Sequence, residues 1–214
     1  GVKKDGKIGY AWYGRAASKG HLESQYVLGL SASDDGSEES KRALEWLYKA
    51  ANQKHVKAMG YLGACHMRGY SVDRDYKKAV YWLKLAARHG DSQCHVLLGE
   101  IYRWGRGASD GVPRDLSLAF DYYKKGALAG QEMAQFAVGD MLGKGEGTPA
   151  DFVKAYAWLS VAKTNGHVVA SENLGYLVTL MSKEQIAVGQ VLAGELFAEI
   201  KNNQSDNPVN QRFD

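Results

Sequence analysis

Apolar and small residues recur along this chain at helical spacing, and residues 75–107 show the pattern most clearly. An Asp opens a first helical segment, small residues and Trp82 lie on one face of it, and Gly90 ends it. A second helical segment follows at once and carries Leu98-Gly99 on its apolar face. Because apolar residues three and four positions apart share one face of a helix, this segment predicts a pair of amphipathic helices.

The same pattern recurs in register along the chain. An aromatic residue occupies the position of Trp82 five times, and a Leu-Gly or Val-Gly dipeptide occupies the position of Leu98-Gly99 five times. Successive copies of both are spaced by 34, 36, 40 and 36 residues. The aromatic landmarks are Trp12, Trp46, Trp82, Tyr122 and Trp158, and the dipeptides are Leu28-Gly29, Leu62-Gly63, Leu98-Gly99, Val138-Gly139 and Leu174-Gly175. A repeat of this length, built from two helical segments, predicts an all-α solenoid of helix pairs.

The register also sets the expected boundaries. It gives a half repeat at 1–20, repeats at about 21–54, 55–90, 91–130 and 131–166, and C-terminal capping helices at 167–201. Ser182 and Gln185 form a capping box that opens the last helix. Residues 202–214 are polar, which predicts a disordered tail.

Two features of the repeat predict how the helices stack. We expect the aromatic landmarks, Trp12 included, to face inward with alanines beside them. Gly inside a helix costs about 1 kcal/mol relative to Ala. The glycine of every Leu-Gly pair therefore indicates a close approach by a neighbouring helix. Lys54 stands where other repeats place a Gly helix stop, so it must take a left-handed backbone or a different turn.

The repeated motif resembles that of the Sel-one-like repeat (SLR), a relative of the tetratricopeptide repeat. It reads Gly-Val-x-x-Asp, Lys-Ala-x-x-Trp-Leu-x-x-Ala-Ala-x-x-Gly and Leu-Gly-x-x-Tyr-x-x-Gly, and it covers residues 1 to about 175. The departures are the loop 33–38, Lys54 at a Gly position and His66 at a Tyr position. The resemblance implies a right-handed α-α superhelix whose concave face, lined by the Leu-Gly helices, binds other proteins. It does not imply catalysis.

Charge and composition narrow the class of partner. The 27 basic and 24 acidic residues give a net charge of +3, which does not point to nucleic acid. No apolar run reaches the length of a membrane-spanning helix, and no export signal stands at the start. Residues 1–5 match the inter-helix loop at 111–115, so we expect that upstream sequence, with any signal, has been removed.

Candidate chemistry is sparse. The best metal candidate is the set Cys65, His66, Cys94 and His95, but it lacks C-x-x-C or H-x-x-x-H spacing, so we interpret these residues as core. The register places the two cysteines on the order of 10 Å apart along neighbouring helices, too far for a disulfide. The glycine-rich loops at 105–107 and 143–147 follow helices instead of strands, which indicates helix stops and not phosphate loops. We expect no catalytic residue, metal or cofactor.

The partner-binding residues are inferred from the resemblance. In tetratricopeptide-like pairs, three positions around each Leu-Gly dipeptide point into the groove. With Trp104 added at the groove edge, the candidate partner-binding residues are Tyr26, Leu30, Met67, Val96, Glu100, Arg103, Trp104, Phe136, Asp140, Glu172 and Tyr176. Tyr, Phe and Arg are residue types that carry binding energy at interfaces.

The sequence therefore predicts a non-catalytic scaffold or adaptor that grips a protein partner, with no nucleic acid and no membrane insertion. One alternative is an immunity protein that inhibits a secreted bacterial toxin enzyme, such as a type VI secretion effector. A second is a glycan- or cell-wall-binding module, or a hydrolase. The resemblance favours a bacterial protein of the periplasm or the exterior, with the cytoplasm left open. The partner and the oligomeric state do not follow from the sequence.

Overall fold

The computed structural model describes residues 6–205, and side chains from residue 9 onward. Apart from one short 3-10 helix at Ala108–Asp110, the regular elements in this range are α-helices, so the all-α prediction is confirmed. The helices are α1 (Gly6–Ser18), α2 (Leu22–Gly29), α3 (Glu38–Asn52), α4 (Val56–Arg68), α5 (Tyr76–Arg88), α6 (Gln93–Trp104), α7 (Leu116–Leu128), α8 (Glu132–Lys144), α9 (Phe152–Thr164), α10 (Ala170–Val178) and α11 (Lys183–Ser205).

The chain divides into two compact units. Unit 1 runs to Cys94 and includes Ser109–Val112, and unit 2 comprises His95–Ala108 and the chain from Pro113 onward. Within unit 1, consecutive helices pack against each other in every pair from α1–α2 to α4–α5. Within unit 2, the pairs from α7–α8 to α9–α10 do the same, and α11 packs against α9 and α7. This neighbour-to-neighbour packing is what a helical repeat predicts.

Local capping explains where the helices begin and end. Asp75, Asp115 and Asp151 cap α5, α7 and α9, and each side chain accepts a hydrogen bond from the backbone N–H three residues later. Lys54 has a φ of 66°, so it takes the left-handed conformation that glycine adopts at the other stops. Asp5, predicted to cap α1, lies outside the described residues.

The aromatic landmarks are covered in all repeats but the first. Trp158 is 5% exposed, and Trp46, Trp82 and Tyr122 are half-buried. Trp12 is 63% exposed, so its predicted inward position is wrong. The reason is that α1 contributes Ala17, 1% exposed, to the buried part of unit 1 and leaves its Trp12 face without a covering helix among the described residues.

Four of the five dipeptide glycines allow the close approach that the sequence predicts. The prediction is wrong for Gly175, where an added Cβ would meet no atom of a neighbouring element within 4 Å among the described residues. A Cβ added to Gly63 would lie 2.7 Å from Leu83 Cγ, and one added to Gly139 would lie 2.8 Å from Leu159 Cγ. Both leucines directly follow an aromatic landmark. We call this arrangement the glycine notch: the Leu-Gly glycine of one helix and the surface beside it that a bulky residue of the next helix fills.

The last helix begins with the predicted capping box but is longer than the sequence predicted. Ser182 N–H donates to Gln185 Oε1 (2.9 Å), and Gln185 N–H donates to Ser182 Oγ (3.2 Å), which confirms the capping box. The helix that it opens continues to Ser205, so residues 202–205 belong to α11 and not to a disordered tail. Residues 206–214, the remainder of the predicted tail, lie outside the described range.

In the part of the chain that the structure describes, none of the helices combines the length and the apolar character that crossing a lipid bilayer requires.

Candidate functional site

The candidate partner-binding residues fall in both units and differ widely in accessibility. Tyr26, Leu30 and Met67 belong to unit 1, and the others belong to unit 2. Met67 and Val96 are 6% and 1% exposed, so they contribute packing and we do not include them in a binding surface. The exposed members are Leu30, Trp104, Glu172 and Tyr176, the half-buried members are Tyr26, Glu100 and Phe136, and the buried charged members are Arg103 and Asp140.

Tyr26, predicted as an aromatic anchor, contacts a histidine of its own unit. Its ring stacks on His55 with 4.6 Å between the ring centroids. His55 caps α4, because its Nδ1 accepts a hydrogen bond from the Ala58 N–H (3.1 Å). That leaves Nε2 to donate to Glu23 Oε2 (3.1 Å). Burial, and after it the negative charge of Glu23, raises the pKa of Tyr26.

Phe136 repeats this arrangement in unit 2. Its ring stacks on His167 with 4.2 Å between centroids and 10° between the ring planes. Phe136 and Tyr26 hold the same repeat position, two residues before the dipeptide, and each stacks on a histidine that precedes the next Leu-Gly helix. Sequence reasoning gave these two aromatic residues the same repeat position but missed their histidine partners. The recurrence of His at 21, 55 and 167 was the signal that could have indicated them.

Arg103 and Asp140, both predicted as site residues, lie together in unit 2 in a buried ion cluster. Their side chains are each 7% exposed and form a salt bridge between Arg103 Nη2 and Asp140 Oδ2. Arg103 also donates to Glu146 Oε2, from Nη2 (2.8 Å) and from Nε (3.1 Å). Charged hydrogen bonds of this kind are short and directional, so they fix the position of the guanidinium group.

Two further side chains complete this cluster at Asp140. Lys144 Nζ lies 2.8 Å from Asp140 Oδ1, and Asn173 Nδ2 donates to the same oxygen at 3.4 Å. We call these five residues, Arg103, Asp140, Lys144, Glu146 and Asn173, the Arg103 cluster. The sequence did not predict Lys144, Glu146 or Asn173. Glu146 lies in the glycine-rich loop that we interpreted only as a helix stop, and its acidic residue was the available signal.

A pocket of about 250 Å³ opens beside the Arg103 cluster, between α8, α9 and α10. Asp140, Lys144 and Asn173 contribute its polar part, and Tyr176, 70% exposed, stands at the edge. The full lining is Gly139, Asp140, Gly143, Lys144, Phe152, Leu159, Asn173, Tyr176, Leu177 and Leu180. Two predicted residues, Asp140 and Tyr176, line this pocket, which we call the unit 2 pocket, and a third, Arg103, is linked to it through its salt bridge with Asp140.

The electrostatics of the unit 2 pocket favour neutral or weakly polar ligand groups. The Arg103 cluster contains two cations, Arg103 and Lys144, and two carboxylates, Asp140 and Glu146. Its formal net charge is therefore zero. Both Asp140 oxygens already accept hydrogen bonds or ion pairs from protein groups. Because the carboxylate is engaged, it is unlike a general base that is open to a substrate.

The four residues considered as a candidate metal site, Cys65, His66, Cys94 and His95, can now be described by their contacts and burial. Within residues 6–205, no group of three or more His, Cys, Asp or Glu side chains is arranged to hold a metal ion. Cys65 and Cys94 are buried free thiols, which confirms that they form no disulfide. Burial raises the pKa of Cys65 to about 12, which leaves it a protonated core residue. His66 Nε2 lies 2.7 Å from the Tyr48 hydroxyl.

Unit 1 contains a larger cleft between α1, α2 and α3. Its volume is about 830 Å³. Its lining mixes aromatic, charged and hydroxyl side chains: Tyr10, Ala11, Leu28, Ser31, Asp35, Ser37, Glu39, Ser40, Arg42, Ala43 and Trp46. None of the candidate partner-binding residues lines it, so the sequence did not indicate this cleft.

Comparisons with known proteins identify the repeat. The family model of the Sel1 repeat matches residues 1–21, 22–55, 56–91, 92–131 and 132–167. The crystal structure of a Sel1 repeat protein from Oxalobacter formigenes is similar to this chain, with a TM-score of 0.72 and 32% sequence identity over 90% of this chain and 78% of that one.

Curated relatives extend the comparison to eukaryotes. Chitin synthase regulatory factor 2 of Schizosaccharomyces pombe is 29% identical over 163 residues, which are 71% of this chain and 31% of the relative. The ERAD-associated E3 ubiquitin-protein ligase component HRD3B of Arabidopsis thaliana is 31% identical over 140 residues, 65% of this chain and 22% of the relative. The chain therefore spans less than a third of the length of either relative.

Proposed function

Since the chain belongs to the Sel1 repeat family, we propose that it is a non-catalytic protein-binding module and that the unit 2 pocket anchors an apolar side chain of its partner. The family match rests on five repeats that together span residues 1–167. The observation that carries the proposal is the pocket itself, where an exposed tyrosine stands beside an apolar recess with a charge-balanced polar part.

The size of the unit 2 pocket favours a side chain over a free small molecule. Sites for small molecules have volumes of roughly 300–1,000 Å³. The pocket, at about 250 Å³, lies below that range. A single bulky side chain inserted from a partner surface matches this volume better, and such inserted anchors carry much of the affinity at protein interfaces.

The exposure of Tyr176 supports the same interpretation. The tyrosine ring is 70% exposed although it adjoins Leu177, which is 5% exposed. A tyrosine combines a large apolar face with a polar tip, which is why it is enriched at interfaces. A partner that covers this ring and fills the recess beside it would bury apolar area on both sides.

The Arg103 cluster would hold the site rigid before the partner arrives. Arg103 is fixed by Asp140 and Glu146, and Asp140 in turn is held by Asn173 on α10. A preorganised site loses less conformational entropy on binding, so a small pocket can contribute useful affinity.

The relatives' names are consistent with a role in assemblies. One is named as a regulatory factor of chitin synthase and another as a component of a ubiquitin ligase. Because the chain covers less than a third of each, the identity of its partner is not carried over from them. Export from the cell and inhibition of a toxin enzyme stay predictions of the sequence resemblance.

A peptide-display selection on the purified chain tests the proposal. We expect the selected peptides to share an apolar or aromatic residue at one position. Fluorescence anisotropy should then show that Tyr176→Ala weakens binding at least about tenfold, or 1.4 kcal/mol. Tyr81→Ala is the matched control, because Tyr81 is a 61% exposed helical tyrosine of unit 1, and it should leave the affinity within about twofold.

Two results would overturn this assignment. One is equal affinity of the peptides for the wild type and for Tyr176→Ala. The other is a selection that yields no peptide, together with retention of the chain on immobilised glycans, which would favour a glycan-binding module.

A further inference from the structure

The cleft of unit 1 differs from the unit 2 pocket in size and in chemistry. Its volume of about 830 Å³ lies within the roughly 300–1,000 Å³ that is typical of small-molecule sites. Apart from Tyr10 and Ala11 of α1, its lining belongs to α2, α3 and the loop between them. The cleft therefore has room for a small ligand, whereas the unit 2 pocket has room for one inserted side chain.

Two serines of this repeat hold positions that larger side chains occupy in the other repeats. Ser31 follows the Leu of its dipeptide by three residues, and Ser40 precedes the landmark Trp46 by six. At the position of Ser31, the next three repeats carry fully buried residues, namely Cys65, Ile101 and Met141. At the position of Ser40, they carry bulky apolar residues, namely Tyr76, Leu116 and Phe152. Both serines line the cleft, so its space follows from the small residues of this repeat.

The hydroxyl groups of the cleft are held in place by hydrogen bonds. Ser31 Oγ donates to the Leu28 carbonyl oxygen (2.9 Å) and lies 2.8 Å from the Tyr10 hydroxyl oxygen. Ser37 Oγ accepts from the Ser40 backbone N–H (3.1 Å). A hydroxyl group has one donor and two acceptor positions, so Ser31 and Ser37 each keep an acceptor position for a ligand. These groups are preorganised, which lowers the entropy lost on binding.

Charged and aromatic groups complete the lining of the cleft. Asp35 Oδ1 accepts a hydrogen bond from the Ser37 backbone N–H (2.9 Å), and this bond lowers the pKa of the Asp35 carboxyl group. Asp35 is therefore an ionised acceptor at neutral pH, while the guanidinium group of Arg42 supplies donors. Trp46, which is half-buried, contributes an aromatic ring. The cleft thus combines acceptors, donors and an aromatic surface.

We propose that the cleft of unit 1 binds a neutral oligosaccharide, with a sugar ring against Trp46 and its hydroxyl groups hydrogen-bonded to Ser31 and Asp35. A sugar ring has C–H groups on its faces, which suit the negative face of an aromatic ring. Each hydroxyl at its edge both donates and accepts, so it can pair with the acceptors and the donors of the cleft. The inference does not depend on the proposed function, because α1–α3 line the cleft and α8–α10 line the unit 2 pocket.

Isothermal titration calorimetry on the full chain tests the proposal with three neutral trisaccharides: cellotriose, maltotriose and triacetylchitotriose. We expect at least one of them to bind saturably, with one molecule bound per chain. Its affinity should agree within about twofold between about 50 and about 500 mM sodium chloride, because salt does not screen an uncharged ligand. No binding by any of the three would overturn the proposal. Saturable binding of hexalysine in their place would also overturn it, in favour of a basic peptide.

Substitutions locate the bound trisaccharide. Ser31→Ile introduces the residue that Ile101 provides in another repeat, and it should weaken binding at least tenfold because the larger side chain occupies the cleft. Ser171→Ile is the matched control, because Ser171 is an exposed helical serine of unit 2, and it should leave the affinity within about twofold. Equal affinities of the two variants would overturn the proposal.

A second variant covers the case in which Ser31→Ile changes the fold. Asp35→Ala removes a carboxylate from an exposed loop and should also weaken trisaccharide binding, by about tenfold. Circular dichroism melts check that each variant is folded, and each should still bind the peptides selected for the unit 2 pocket. Full trisaccharide affinity in a folded Asp35→Ala chain would contradict the assigned contacts.

Discussion

His66 is a titratable side chain inside unit 1. The residue is fully buried, its Nε2 contacts the Tyr48 hydroxyl, and its Nδ1 has no hydrogen-bond partner among the described residues. Burial, and after it the positive charge of nearby Lys78, lowers its pKa below the ordinary value of 6.5. The fold therefore favours the neutral imidazole.

The lowered pKa of His66 predicts that the free energy of unfolding decreases as the pH is lowered. Below about pH 6.5, His66 is protonated in the unfolded chain but stays neutral in the folded chain. The free energy of unfolding therefore decreases as the pH falls from about 6.5 toward the lowered pKa of the folded state. Within that window, the loss is at most about 1.4 kcal/mol per pH unit. Urea unfolding at pH 7.5 and 5.5 should show a larger decrease for the wild type than for His66→Phe. The same decrease in both chains would show that His66 does not titrate as described.

The glycines of the notch are a second test for single residues. Gly63→Ala would place a Cβ 2.7 Å from Leu83 Cγ and 3.1 Å from the Leu83 backbone nitrogen, so the helices must separate. Overpacking of this kind costs about 1–3 kcal/mol. Gly175→Ala at the same repeat position meets open space and should be neutral or stabilise by up to about 1 kcal/mol. Equal changes in the urea midpoints of the two variants would contradict the notch.

At the scale of the helices, the Arg103 cluster is a polar link within unit 2 whose central salt bridge is buried. It joins α6 to α8 and to the glycine-rich loop after α8, and Asn173 extends it to α10. The repeat register predicted that Arg103 and Asp140 occupy related positions of successive Leu-Gly helices. It could not predict that they pair, because the contact depends on side-chain reach and on the loop that carries Glu146.

The variants Asp140→Ala and Lys144→Ala test the buried and the exposed part of the Arg103 cluster separately. Removal of Asp140 leaves Arg103, 5% exposed, short of one carboxylate partner, and loss of a partner in a buried pair costs about 3–5 kcal/mol. Lys144 is 58% exposed, so its replacement should cost less than about 1 kcal/mol. Chemical unfolding of the three chains measures both effects. A Lys144→Ala chain destabilised as much as Asp140→Ala would contradict this division.

For the whole chain, the repeat period of the sequence predicted the helix pairs. Each pair buries its apolar face against its neighbours, and the repeated aromatic and Leu-Gly positions are the residues that make this contact. The period could not show which landmarks lack a neighbour. Trp12 and Trp158 share one motif, yet their exposures are 63% and 5%. The unit 2 pocket was also only partly predictable, since Asp140 and Tyr176 follow the register while Phe152, Leu159 and Leu180 reach the pocket through helix packing.

Amide hydrogen exchange on the chain with and without a selected peptide tests the central claim most directly, because it locates the bound partner without any substitution. We expect slower exchange in α8 and α10, whose residues line the unit 2 pocket, and unchanged exchange in α1–α3 around the cleft of unit 1. Protection confined to α1–α3, with α8 and α10 unaffected, would contradict the account.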